Sequence, residues 1–523
     1  MVGRTPVHAL AGALSALVLA AALAARPGGT RPAPDTVYVA MSETMRSFDP
    51  HVTTSASDFR VLSQVYDGLL THAANSFELA PGLAKSWQVD ADGKAVEFAL
   101  RQDVRFHDGT LFDAEAVRFN FERMLREDHP FHATGPFPLA FLFDKIRRVH
   151  VQAPFRVRLE LSEPYAPLLS NLTYPAGFMV SPTAVRRWGK AFGMHGGGTG
   201  PYRLHSGSRS DGAVLERMQP NAPGAHRIVF RTIVDPMTAL AELATGGVDA
   251  MVEPPTDTLS WLGRHPKLSL QSREGAHSWF LIVNVRRPFL GDARVRRALN
   301  YAVDREGIAH HVLQGGAAAA VSVMPKAFGR AHDDKLRPYP HDPDRARALL
   351  KAAGVVPPLS LRMVVPTSGS GMLEPELMAA AIQADLRRVG VQVSVTAMEW
   401  NAYLAFVNTG LDEKTDLAAM AWMTNDPDTL PTLTLTRSSH PPQGFNSGWY
   451  ENPHADELLE EARGSFDAPS RSARYRELDA LFYHDAPWVF VVSQRLTLAT
   501  TTRISGARLL ASFLLDLRDV EAR

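Results

Sequence analysis

The sequence has no cysteine. That excludes disulfides, thiolate metal centres, a cysteine nucleophile and a lipid-anchoring cysteine behind an export signal. It also has no excess of either charge: 55 lysines and arginines balance 55 aspartates and glutamates, a formal net charge of +0. Nucleic acids and other polyanions select a basic surface, so no nucleic-acid partner is expected. After the amino-terminal stretch no apolar run is long enough to cross a bilayer. There is no P-loop, no H-E-x-x-H, no helical histidine pair and no G-x-S-x-G elbow. The expectation is that the chain is not an enzyme and uses no cofactor.

What is present is an ordinary globular composition, 45% hydrophobic and 21% charged over 523 residues. Arg4 and His8 precede an apolar run from Ala9 to Ala25, and Ala22-Leu23-Ala24 forms a small-residue cleavage pattern. Residues 1–25 therefore read as a secretory signal peptide. Export without a lipid cysteine leads us to expect a free periplasmic protein.

The most legible stretch runs from Leu79 to Leu125. Val96, Phe98 and Leu100 alternate with Glu97 and Ala99, a strand pattern. Asp92-Gly93 supplies a tight turn before it, so Trp87 to Leu100 is expected to be a hairpin. Asp113 stands where a helix N-cap should, with Val117, Phe121, Met124 and Leu125 at helical spacing behind it.

PGLAKSW, DG, F-x-LR-x-x-V-x-FHDG and F-x-AEAV-x-F in this stretch resemble the signature region of the extracytoplasmic solute-binding proteins of family 5. These are the peptide-, nickel- and glutathione-binding proteins of ABC importers. Further matches follow along the chain: Ser47-Phe48-Asp49-Pro50, the Tyr66-Asp67-Gly68-Leu69 segment with Gly68 closing a helix, Gly198-Thr199-Gly200-Pro201-Tyr202, ELATGGVDA ending near Asp249, DARVRRALNYAVDR, and HDPDRARALLKAAG. The arginines of DARVRRALNYAVDR are expected to form a solvated helix face.

The resemblance implies an α/β, two-lobed fold of the periplasmic-binding-protein type II kind. It implies a discontinuous first lobe with an extra subdomain: residues 35–70, 200–288 and 490–523 in lobe I, 71–199 inserted, and 289–489 in lobe II. Leu359–Val365, Leu377–Leu386 and Val391–Val395 read as a βαβ unit of parallel strands. Partners would be a small-molecule or peptide solute and the permease subunits of an ABC importer, with the chain a monomer.

Candidate solute contacts are Phe48, Trp279, Asn284, Trp400, Trp422, Thr424, Asn425, Asp426 and Phe445. Gly198, Gly200 and Tyr202 are expected at a hinge-like reversal into the first lobe. In peptide-binding relatives an aspartate shortly after a tryptophan holds the amino group, and in the dipeptide branch an arginine before a second-lobe helix holds the carboxylate. Here Asn425 stands three residues after Trp422, with Asp426 a substitute if the loop is shifted. The segment Glu374-Pro375-Glu376 has no arginine.

Two other readings remain open. A nickel-complex or haem carrier on the same fold could use His129, His132 or His440, although the preferred reading of these is loop histidines on the surface, since no helical histidine pair supports a site. An exported hydrolase could use the His195-Gly196-Gly197-Gly198 run as an oxyanion hole, but it would need the nucleophile elbow that this chain lacks.

Overall fold

The structure, a computed structural model, describes residues 35–73, 76–208, 210–369 and 371–523. The expected signal peptide, residues 1–25, lies outside them. The chain opens with strand β1 (Thr36–Met41) and helix α1 (Ala56–Val65). Ser55 caps α1 by accepting from the Asp58 N–H at 3.2 Å. The helix ends at Val65, before Gly68. That glycine is required for another reason: a Cβ there would lie 2.6 Å from the Leu172 carbonyl oxygen.

A four-stranded antiparallel sheet comes next, built from β2 (Ala84–Val89), β3 (Ala95–Leu100), β4 (Ile146–Ala153) and β5 (Arg156–Leu161), in the order β2-β3-β5-β4. The expected hairpin is its first half. Helix α2 (Ala114–Leu125) packs on this sheet, and the Asp113 carboxylate accepts from the Ala116 N–H at 2.9 Å. The sheet and helix have their own core around Phe98, Phe121 and Phe143. A buried ion pair between Arg123 of α2 and Asp49 of the Ser47–Pro50 motif ties this subdomain to the β1 core. Phe48 beside it is buried in that core.

The chain returns through Gly198–Tyr202 into β6 (Tyr202–Ser208), β7 (Gly212–Arg217) and β8 (Arg227–Thr232), then α3 (Pro236–Thr245) and β9 (Ala250–Val252). β1 lies parallel to both β8 and β9. The positive φ angles of the return fall at Gly196 (68°) and Gly197 (154°), not at Gly198 or Gly200. The two later glycines serve close approach instead. A Cβ on Gly198 would overlap the Val65 carbonyl, and one on Gly200 would lie 2.6 Å from the Gln64 carbonyl oxygen. This segment joins the subdomain to the first lobe; the passage between lobes lies elsewhere.

That passage starts in β10 (Leu268–Val283), which is 16 residues long. Beyond it come α4 (Ala293–Ala302), β11 (Leu359–Pro366), α5 (Pro375–Arg388), β12 (Val391–Met398), α6 (Trp400–Val407), β13 (Leu417–Met423), α7 (Pro453–Gly464) and α8 (Ala468–Asp485). The expected βαβ unit is β11-α5-β12, with parallel strands. On α4, Arg296 is not solvated as expected. It is buried and donates to the carbonyls of Leu290, Gly291, Asp485 and Ala486, which pins α4 to the end of α8.

Strand β14 (Trp488–Thr501), 14 residues long, returns the chain. β10 and β14 pair antiparallel from Leu268–Thr501 to Ile282–Trp488, with a register break between Glu274 and Ser278. The strands therefore stand in the order β12-β11-β13-β10-β14-β9-β1-β8-β7-β6, one ladder running through both lobes. The cores divide at that break. Ala276, Trp279–Val283 and Val489–Val492 belong to the second-lobe core, whereas Leu496 and Leu498 belong to the first.

Adding a methyl group at Gly198 has nowhere to go but into backbone. Gly198→Ala is expected to cost about 1–3 kcal/mol in urea unfolding, the usual range for overpacking. Gly109→Ala is the control for left-handed backbone alone, because nothing lies within 4 Å of a Cβ there.

Candidate functional site

The lobes meet where β10 breaks register. Ser278 of β10 stands opposite Trp422 of β13, and His277 opposite Met423. Thr424 continues the ladder by donating its N–H to the Ala276 carbonyl at 3.0 Å. Three polar atoms here are buried and have no protein partner among the described residues: Ser278 Oγ, Trp279 Nε1 and Thr424 Oγ1. Such groups are costly unless something else satisfies them.

His277 is buried, and its burial pulls the imidazole down to about 4, so it is neutral near neutral pH. The loop after β11 closes on it: a Cβ at Gly371 would lie 2.6 Å from His277 Nε2. From the first lobe, Glu253 pairs with Arg60 at 2.9 Å and faces the same imidazole. Trp422 contacts Phe445 with ring centroids 5.5 Å apart, and both line a small apolar hollow with Phe280 and Trp488. Trp400 opens α6, stacked over Tyr403, and packs against Gly369 of the same loop as Gly371.

Not every expected contact reaches this place. Phe48 sits in the first-lobe core and its carbonyl accepts from Tyr66 Oη at 2.7 Å. Asn284 pins a loop at the far end of β10, donating to the carbonyls of Asp412 and Thr415 at 3.0 and 2.9 Å. Trp279, Trp422, Thr424 and Asn425 gather at the crossing, with Phe445 against Trp422. His277, Ser278 and Glu253 were not anticipated. They fall in a stretch with no clear periodicity, so nothing in the sequence singled them out.

A second cluster joins the inserted subdomain to the second lobe. Asn425 Nδ2 donates to the Ser170 carbonyl at 3.4 Å, and Ala166 N–H to the Arg463 carbonyl at 2.7 Å. Arg463 of α7 lies over the Tyr165 ring at 5.4 Å and 3.5 Å from Asp428. Phe77 meets Phe328 across the same seam at 4.9 Å. Asp426 is buried and spends its carboxylate on the Asp428 N–H at 2.7 Å and on Ser170, so it is part of the seam. Burial raises both carboxyls, Asp428 to about 7 despite Arg463 nearby.

The histidines do not gather. His129 and His132 lie in the subdomain, His132 with Nδ1 3.0 Å from the Arg123 carbonyl, and His440 lies in the second lobe against Trp449. No group of three metal-binding side chains occurs among the described residues. His195 stacks flat on Trp188 at 3.6 Å. The amides of the glycine run are already used: Gly196 donates to the Phe192 carbonyl, Gly197 to Tyr66 Oη and Gly198 to His107 Nδ1.

The family model for bacterial extracellular solute-binding proteins, family 5, matches residues 78–443, well over half of the chain. The chain belongs to this family. The family 5 protein is 28% identical over 491 residues to a glutathione-binding protein of Pectobacterium atrosepticum, covering 92% of this chain and 93% of the relative. It is 29% identical over 499 residues to di/tripeptide-binding protein 2 of Pseudomonas aeruginosa, covering 91% and 93%. Its fold matches HbpA2 of Haemophilus parasuis with a TM-score of 0.84 at 22% identity, over 93% of this chain and 100% of that one. A dipeptide-binding protein of Pseudoalteromonas, solved with Met-Leu, matches with a TM-score of 0.76 at 23% identity, over 93% and 100%. The two-lobed α/β architecture is that of periplasmic binding proteins.

The seam has a pH signature. The buried Asp428 carboxyl holds its proton up to about pH 7, whereas the exposed carboxyl of an unfolded chain loses it near 3.8. The folded state therefore binds the extra proton between those values, and its contribution to stability falls as pH rises through that window. Urea midpoints measured across the window should show this decline in the wild type and a flatter profile in Asp428→Asn.

Proposed function

We propose that this family 5 protein captures a small peptide or peptide-like solute between its lobes, at the β10–β13 crossing, and passes it unchanged to the permease subunits of an ABC importer. The observation that carries the reading is the pair of unsatisfied hydroxyls on one face of the crossing, Ser278 Oγ and Thr424 Oγ1, inside a fold whose relatives bind peptides and glutathione. Amide groups of a solute would satisfy them. Closure follows when the solute prefers the shut form.

The charges that would clamp free peptide termini are not aimed at this place. Asn425 stands where an amine-binding aspartate is expected and donates to Ser170. Asp426 is spent within the seam. Glu376 is exposed at the start of α5 and would repel a carboxylate. The solute is therefore recognised by its amides and side chains more than by its termini. The protein acts without catalysis, free in the periplasm after export, and as a monomer.

The hydrolase reading loses its oxyanion donors to internal hydrogen bonds. The metal-complex reading finds its three histidines in two different lobes.

Calorimetric titration with di- and tripeptides and glutathione, with termini free or blocked, tests the proposal. Blocking the termini should change affinity by less than about tenfold, since no desolvated charge pair is lost. Thr424→Ala and Trp422→Ala should each weaken binding by roughly tenfold, about one hydrogen bond or one aromatic contact. Turnover of any of these compounds, or scattering that shows no compaction on binding, would refute it.

A further inference from the structure

A cavity of about 870 Å³ lies apart from the solute cleft. Its walls come from the end of α1, from the 70–72, 81–83 and 101–109 segments of the subdomain, from the 199–201 return, from 217–222, and from the tail at 508–518. Among the described residues none between 223 and 507 lines it, so the walls come from outside the second lobe. They thus belong to the inserted subdomain and the first lobe.

Its charge is lopsided. Five arginines line it, Arg101, Arg105, Arg217, Arg508 and Arg518, against three carboxylates, Asp67, Asp103 and Asp516. Three of the arginines are matched: Arg101 with Asp103 at 2.8 Å, Arg508 with Asp516 at 2.6 Å, and Arg518 with Asp67 at 2.7 Å. The other two have no carboxylate within salt-bridge distance among the described residues. Arg105 is exposed and donates only to the Gly109 carbonyl, at 2.9 Å. Arg217 is 7% exposed, so it is a buried cation. Its donors go to the carbonyls of Ala225 and Arg518, at 3.0 and 2.8 Å, and to Tyr202 Oη.

Arg217 lies over the Tyr202 ring at 4.6 Å and otherwise meets dipoles, with no carboxylate at salt-bridge distance among the described residues, and a buried charge without a counter-ion is costly. The two histidines in the wall cannot reverse the balance. Burial holds His72 down to about 4 and lowers His107, so both are neutral near neutral pH. Asp519 also reaches Arg508 at 3.6 Å, so the excess of positive charge rests on Arg105 and Arg217, the two wall arginines without an ion-pair partner among the described residues, in a cavity whose volume suits a small molecule.

We propose that this cavity is a second binding site, separate from the solute cleft, for a small organic anion carrying at least two negative charges, with Arg105 and Arg217 as its counter-ions. Guanidinium forks bind carboxylate and phosphate oxygens alike, so the shared chemistry is a compact dianion. The site does not depend on which solute the cleft takes.

Calorimetric titration of the exported chain at low salt, with citrate and separately with inorganic phosphate, tests it. Saturable binding of one equivalent is expected. Arg105→Gln should weaken it by roughly tenfold, the worth of one charge-assisted hydrogen bond. Thr71→Trp, at an exposed wall position, should fill the cavity and abolish it. Trp422→Ala, in the solute cleft, should leave it unchanged. Tighter citrate marks the site as one for polycarboxylates, and tighter phosphate marks it for phosphate esters. The proposal falls if neither anion binds better than acetate, if both cavity variants bind as wild type does, or if Trp422→Ala removes binding.

Discussion

The backbone ladder between β10 and β14 is the constraint from which the rest follows. These two strands alone carry the chain between lobes, and they do so without leaving the sheet. A hydrogen-bonded pair bends and twists far more easily than it stretches or slips, because slipping by one residue would turn every side chain to the wrong face. The lobes can therefore rotate about the crossing but cannot translate. The register break between Glu274 and Ser278, followed by a second shift between Trp279 and Phe280, concentrates that freedom in one short stretch, as bulges do. Gly275 lies inside the break, where a side chain would meet Leu496 at 2.7 Å. The residues best placed to feel closure are those flanking the break, and Ser278, Trp279 and Thr424 among them carry unsatisfied polar atoms.

Two seams flank the inserted subdomain, and their electrostatics differ in a way that matches their duties. The seam with the first lobe holds the Arg123–Asp49 pair, fully buried. Breaking such a pair by separation would leave a bare buried charge, so the subdomain and first lobe behave as one jaw. The seam with the second lobe has Asp428 and Arg463 at 3.5 Å, with Arg463 still 28% exposed at its side chain. Both residues of that pair belong to the second lobe, so opening does not separate them, and burial pushes the Asp426 and Asp428 carboxyls beside the seam towards neutrality. Opening this seam rehydrates groups that pay for their burial only in part, so it is the cheaper one to open.

Much of the fold was legible because periodicity and capping agreed. The hairpin at Trp87–Leu100, the Asp113 cap and the β11-α5-β12 unit all combine a clear repeat with the right boundary residue. The first-lobe half of β10 was not legible. Leu268–Glu274 is half-exposed and polar, LSLQSRE, and reads as a loop until its partner strand is known. Arg296 was misjudged for a related reason. Helical spacing gives the apolar stripe of α4, but the carbonyls that receive its guanidinium come from Asp485 and Ala486, almost two hundred residues away. The site was half legible. Trp422 and Thr424 came from a motif, whereas His277 and Glu253 are placed by tertiary pairing that leaves no local trace.

The balanced formal charge of +0 hides an uneven distribution. Around the crossing the ionisable groups cancel: Glu253 is matched by Arg60, and His277 is neutral. Around the first-lobe cavity they do not, since Arg105 and Arg217 donate to uncharged groups and lack a carboxylate partner among the described residues. A cleft that must release its cargo gains from weak, neutral contacts, because a desolvated charge pair slows departure as much as it strengthens capture. A cavity walled by one rigid jaw is under no such requirement, and can keep an uncompensated guanidinium at the cost of burying it. The same chain thus separates two kinds of recognition by placing its net charge where nothing has to move.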